Sequence, residues 1–119
     1  MSDNGRLGER YAAGSLERKG YKIAAQNFRC KFGEIDIIAE KGDIIAFIEV
    51  KTRAADSFYR PVEAVTAAKR RKLIKTAQLY MLKSQSALQP RFDIFEVITA
   101  DKDGFRVLSA EHIEDAFWL

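Results

Sequence analysis

The chain is short of the residues that most often carry enzyme chemistry. It has one cysteine, Cys30, and one histidine, His112. A lone cysteine closes no internal disulfide and builds no cysteine-rich zinc site, which fits a reducing compartment; a lone histidine removes histidine metal clusters and serine–histidine–aspartate triads. Long apolar runs are missing as well. The longest is the five residues Ile44 to Ile48, far short of the ~20 needed to cross a bilayer as a helix. The polar start Met1-Ser2-Asp3-Asn4 does not read as a signal peptide, so the expectation is a cytoplasmic protein without membrane contact. Repeats, low-complexity segments and linkers are also lacking.

What is present is carboxylate, lysine and arginine on a globular background. With 119 residues, 47% hydrophobic and 31% charged, the chain reads as one domain spanning residues 1–119. Such a length buries about two-thirds of the surface of the unfolded chain, enough for a core without disulfides or a structural metal. The net charge of +3 is mild, but its distribution is not. Between Arg60 and Lys83 seven basic residues stand against the single acid Glu63, giving +6 there and −3 over the rest.

The patterning predicts a helix over 5–19, capped by Ser2, Asp3 or Asn4 and stopped at Gly20. A strand follows over 21–29. Residues 33–40 and 44–51 are rich in β-branched side chains and flank Lys41-Gly42-Asp43, the signature of an antiparallel hairpin. A second helix is expected from Pro61 to about Lys83, with Leu73, Ala77 and Tyr80 on its apolar stripe and Lys69 and Arg70 projecting over the sheet. Strands at 91–99 and 105–108 and a terminal helix over 111–118 complete an α/β order with a mixed sheet.

Two acids interrupt the apolar hairpin strands: Asp36 within Ile35-Asp36-Ile37-Ile38 and Glu49 within Phe47-Ile48-Glu49-Val50. Charges are rare inside strands and costly when buried alone. Counting back from a Gly42-Asp43 turn sets Asp36 opposite Glu49 and Glu34 opposite Lys51, and like charges so placed repel. Such a pair persists if one acid is protonated or a cation neutralises both. Asp36 and Glu49, with water and a main-chain carbonyl such as that of Val50, suit Mg²⁺ or Mn²⁺. Lys51 shares the strand face of Glu49 by the period of two. A divalent ion, a lysine and an open coordination position are the parts of phosphodiester hydrolysis. Glu9, on the semi-buried face of the first helix, is placed to hold a metal-bound water, and Gly8 beside it to allow close helix-to-sheet approach.

Together Glu9, Asp36 and Glu49-Val50-Lys51 resemble the core of a PD-(D/E)xK nuclease, and in size and order the chain is similar to archaeal Holliday-junction resolvases. More narrowly, GE at 8–9, GEIDIIA at 33–39, FIEVKTR at 47–53, the Lys69 helix and RFD at 91–93 resemble the bacterial YraN-type family of uncharacterised proteins over nearly the whole chain. The superfamily resemblance implies a restriction-endonuclease-like core with a mixed five-stranded sheet flanked by helices, Mg²⁺ on Asp36 and Glu49, and catalytic support from Lys51.

The function expected on these grounds is metal-dependent hydrolysis of DNA, with branched or junction DNA among the substrates. Arg53, Lys69 and Arg70 are the candidate phosphate contacts, and a homodimer presenting two sites meets through Leu79 and Leu82. The alternative is a catalytically silent nucleic-acid-binding module on the same fold. Asp93 is expected to pair with an arginine, and His112 to be an ordinary residue at the start of the terminal helix.

Overall fold

The computed structural model describes residues 3–55, 65–100 and 105–118. Its elements run α1 (Asp3–Arg18), β1 (Lys22–Cys30), β2 (Gly33–Lys41), β3 (Ile44–Ala54), α2 (Ala67–Ser84), β4 (Gln89–Thr99) and β5 (Val107–Ile113). The strands form one five-stranded sheet in sequence order. All neighbours are antiparallel except β3 and β4, which are parallel. Parallel neighbours need a long crossover, and α2 lies within this one. The result is a mixed α/β fold with a helix on each sheet face.

The apolar alternation of the strands sorts into two clusters. On one face Ala12, Ala13 and Leu16 of α1 pack against Ile37, Ala39, Ala46, Ile48, Phe95 and Val97. Leu73 and Ala77 of α2 join Ile35, Ile38, Ile45, Phe47, Phe92 and Ile94 on the other. Each face therefore excludes water from the sheet interior, and a polar group placed there has to find its partners within the protein. Tyr80 fills in beside this second cluster, edge-on to Phe28 and Phe47.

Helix α1 ends where glycine permits it. Gly20 has φ +96°, and the Tyr21 N–H reaches back to the Leu16 carbonyl at 3.0 Å, closing the last turn. At its other end α1 needs a second glycine for a different reason. A Cβ on Gly8 would lie 1.8 Å from Thr52 Oγ1, so only a hydrogen there lets the helix seat on β3.

Three expectations are corrected. Residues 61–64 lie outside the described residues, but α2 begins at Ala67, with Thr66 as its cap accepting the Lys69 N–H at 3.2 Å. The last strand is longer than 105–108 and starts later, at Val107. The terminal helix over 111–118 is absent: Glu111, His112 and Ile113 extend β5 against Glu96, Phe95 and Ile94. Beyond the strand, Ala116 donates to the Phe92 carbonyl at 2.7 Å and Phe117 packs on the Phe92 ring. After a turn at Glu114 and Asp115, these contacts hold the segment against β4, from which a helix would withdraw it. No helix among the described residues is long and apolar enough to cross a membrane.

Candidate functional site

The hairpin register follows the sequence count from Lys41↔Ile44 to Ile37↔Ile48 and then stops, one residue short of Asp36 and Glu49. On the other side, the β1 ladder pairs Gln26 with Ile37 and Phe28 with Ile35, passing over Asn27 and Asp36. Side-chain alternation slips at the same place: Ile35 belongs to the α2-side cluster and Ile37 to the α1-side cluster. Asp36 thus sits in a local break of β2, the kind of irregularity that re-aims a side chain. Its Oδ2 accepts the Val50 N–H at 2.8 Å. The expected role of Val50 was through its carbonyl; the contact seen here is through its N–H.

Glu49 is buried, 8% exposed, and points to the α2 face. Asp36 hydrogen-bonds to it, and burial, that hydrogen bond and the Glu49 charge push the Asp36 pKa up to about 9, with Glu9 adding to the rise. Burial works to raise Glu49 too, but hydrogen bonds from Asp36 and Lys69 and the charges of Lys69 and Lys51 outweigh it and hold Glu49 below its usual range. The two acids thus meet as expected, sharing a proton across neighbouring strands.

Two lysines face this pair. Lys51 is half-buried on the Glu49 strand face, where burial and its contact with Lys69 shift it toward the free amine. Lys69 comes from the first turn of α2 and sets its ammonium 2.9 Å from Glu49 Oε2. Burial opposes its charge, but contacts with Lys51 and Glu49 prevail and raise its pKa. Lys69 was read from the sequence as a phosphate contact projecting over the sheet; the helical stripe placed it there, but its pairing with Glu49, 20 residues away, needed the packing of α2 on β3.

Glu9 lies across from Asp36 on α1, where the Asn27 amide donates to its Oε1 at 3.0 Å and to Glu34 Oε1 at 3.2 Å. Asn27 escaped the sequence reading. Its signal was an asparagine inside a strand, and it adopts φ +53°, a region asparagine tolerates better than most side chains. Glu34 does not reach Lys51 as the count suggested; it pairs with Arg29 across the β1 edge at 3.3 Å.

The other candidate phosphate ligands are engaged elsewhere. Arg53 binds Glu96 at 2.7 Å, and Arg70 donates to the Val65 carbonyl at 3.1 Å while lying over the Phe117 ring. Thr52 Oγ1 is buried under α1 without a hydrogen-bond partner. Exposed cations on α2 are instead Arg71, Lys72, Lys75 and Lys83.

The donor set fits a hard divalent ion. Two carboxylates, both largely withdrawn from water, face each other closely enough to drive their pKa values apart, and a dication in that place would neutralise both. No group of three His, Cys, Asp or Glu side chains suited to a metal occurs among the described residues, so Asp36 and Glu49 would share the ion with water and main-chain oxygen.

A second buried carboxylate lies on the opposite sheet face. Asp93, fully buried on β4, receives Arg91 at 2.9 and 2.8 Å, the Asp115 N–H at 3.0 Å and His112 Nε2 at 2.7 Å. Arg91 in turn donates to the Tyr21 hydroxyl at 2.6 Å. Burial would raise Asp93, but these partners hold it below its usual range. The expected arginine partner is present. His112 is no helix-start residue but a buried strand residue bonded to that carboxylate.

Fold and site together define an α/β protein with a buried two-carboxylate, two-lysine centre. The chain belongs to the UPF0102 family, the YraN-type proteins that its motifs resemble: the model described as "Uncharacterised protein family UPF0102" matches residues 8–97. A UPF0102 protein of Caldanaerobacter subterraneus subsp. tengcongensis is 46% identical over 114 residues, covering 95% of this chain and 93% of the relative. One from Chlorobium chlorochromatii is 41% identical over 117 residues, covering 97% and 91%. Another from Clostridium botulinum strain Loch Maree is 49% identical over 98 residues, covering 81% and 80%.

Proposed function

We propose that this chain is a divalent-metal-dependent nuclease that hydrolyses phosphodiester bonds in DNA, branched DNA included. The reading is carried by one observation: Asp36 and Glu49 are brought face to face in a buried site, and no arginine or amide side chain satisfies the pair. Holding two acids together in this way works against folding, a cost that sites selected for chemistry commonly bear.

Asp36 and Glu49 would hold Mg²⁺ or Mn²⁺, with water and a main-chain carbonyl such as that of Val50 completing the sphere. Bound there, the ion supplies an acidified water and charge stabilisation at the phosphate. Lys51, shifted toward its free amine, orients the attacking water and accepts its proton. Glu9, held by Asn27 and close enough for its charge to act on Asp36, would position water on the Asp36 side. The basic surface of α2 attracts the phosphate backbone, and for Arg53 or Arg70 to join in, each exchanges its present protein partner for phosphate. A homodimer is the proposed assembly, with Leu82, 75% exposed, and neighbouring Leu79 as its contact points.

Calorimetric titration with Mg²⁺ and Mn²⁺ tests the reading, followed by a panel of linear, flapped and four-way DNA. Binding by the wild type that is lost in Asp36→Asn, with metal-dependent cleavage of at least one substrate, is the expected result. Absence of metal binding even with DNA present overturns it. One observation favours the second reading, a silent nucleic-acid-binding module: Lys69 already places a positive charge on Glu49. Tight, metal-independent DNA binding without cleavage is the outcome it requires.

A further inference from the structure

We infer that Lys69 is the resting counter-ion of this site: its ammonium holds Glu49 while no metal is bound, gives that carboxylate up to an arriving divalent cation, and once released contacts the phosphate backbone of the nucleic acid. The inference rests on the metal-dependent reading above.

Three observations converge on Lys69. Its ammonium lies 2.9 Å from Glu49 Oε2, and the two side chains differ in freedom: Glu49 is 9% exposed and Lys69 38%. The acid is fixed and the lysine reaches it from the rim, so Lys69 can leave without opening the core. Its root stays in place as it does so, because the Lys69 N–H is held by the Thr66 cap and only the side chain has to swing.

Position in the helix is the second observation. The first turn of α2 contains no acid, although the helix macrodipole favours acids there and disfavours cations. Lys69 and Arg70 nevertheless occupy that turn, followed by Arg71 and Lys72. Arg70 is tied to the Val65 carbonyl, which leaves Lys69 as the cation of that turn turned into the acid site. A cation kept at the positive end of a helix needs an anion, and Glu49 supplies one in the resting protein.

Charge counting supplies the third. Asp36 and Glu49, both ionised, balance one dication. With the Lys69 ammonium also in place the half-buried pocket would carry positive charge in excess. Lys69, the lysine paired to Glu49 and rooted at the rim, is the one that leaves. A phosphate diester arriving beside the N-terminus of α2 then offers it a new partner.

Amine acylation reads the displacement directly. Wild-type protein is treated with the N-hydroxysuccinimide ester of acetic acid, with and without saturating Mn²⁺, and modification is quantified by peptide mass spectrometry. Lys69 is expected to react several-fold faster with Mn²⁺, while exposed Lys72 on the same helix is unchanged. In parallel, calorimetry should show Lys69→Met binding Mn²⁺ more tightly than wild type by about tenfold, since a competing internal ligand lowers apparent affinity by its occupancy. Lys69→Arg, whose fork grips Glu49 harder, should bind it more weakly. With a phosphorothioate oligonucleotide, Lys69→Met should reduce the salt slope of binding by about one charge in Mn²⁺ and leave it unchanged in chelator. Unchanged Lys69 reactivity while calorimetry records Mn²⁺ binding overturns the displacement and leaves the metal-dependent reading standing. Equal salt slopes in Mn²⁺ overturn the phosphate contact. No Mn²⁺ binding by any of the three proteins overturns both this inference and the proposed function. The labelling arm uses wild-type protein and decides even where a variant does not fold.

Discussion

Two buried acidic centres on opposite faces of the same sheet meet opposite fates. Asp93 is surrounded by a two-pronged arginine, a histidine and a main-chain N–H, and is held ionised. Asp36, in the same sheet, is pressed against another acid and keeps its proton up to about 9. Burial acts to raise both, so burial alone does not set whether a carboxylate keeps its proton. What distinguishes them is the set of neighbours: Asp93 meets an arginine, a histidine and a main-chain N–H that tie β4 to β5 and to the C-terminal segment, whereas Asp36 meets a second acid whose counter-charge comes from Lys69.

Substituting Asp93 with alanine should have the largest effect, because it removes the carboxylate that Arg91, His112 and the Asp115 N–H all share at a part-buried site. A loss of about 3–5 kcal/mol in urea denaturation is expected, as for other broken buried ion pairs. A variant that unfolds at the wild-type midpoint would erase the contrast.

Asp36→Asn should do the reverse and stabilise the fold by about 2 kcal/mol near pH 8 by relieving the paired acids. The pH dependence sharpens this. Asp36 binds its proton up to about 9 in the fold against an ordinary 3.8, so in that window the native state carries the extra proton and wild-type stability falls as pH rises. The gain from Asp36→Asn should therefore shrink toward zero near pH 4. Asp93, lowered in the fold, contributes stability that is present above the ordinary carboxylate range and lost as pH falls through its native value. Denaturation midpoints of wild type and Asp36→Asn across this range should diverge upward with pH; parallel curves would contradict the shared-proton picture.

Gly8→Ala comes next. Its methyl meets Thr52 Oγ1, lifting α1 and with it Glu9 from the site, at a cost of about 2 kcal/mol by thermal denaturation. Adding Thr52→Ala should recover part of it. Smallest is Glu34→Ala, which removes a surface pair with Arg29 and should cost about 0.5 kcal/mol or less.

The hairpin was legible because a Gly-Asp turn between two β-branched runs fixes its register as far as Ile37 and Ile48, which brings Asp36 and Glu49 close. Lys51 followed from the period of two. Less legible was whatever depended on contacts distant in sequence. Thr66 is an ordinary cap, yet Pro61 offered an equally ordinary helix start. Residues 111–118 were read as a helix, because the contacts that fix 111–113 as a strand and 116–118 against β4, Asp93 with His112 and Phe92 with Phe117, lie 19 and 25 residues apart. The slip at Asp36 coincides with a break opposite it at Asn27, where the backbone takes φ +53°.

The single parallel pairing has a kinetic consequence. Every β3–β4 partner pair, from Ile44 with Gln89 to Ala54 with Thr99, is 45 residues apart, whereas β1, β2 and β3 join through tight turns. The meander can form early by local closure, but the sheet centre must wait for a far larger loop to shut. Refolding should accordingly be paced by that docking, and substitutions at the β3–β4 seam should slow it more than changes of equal stability cost within the hairpin.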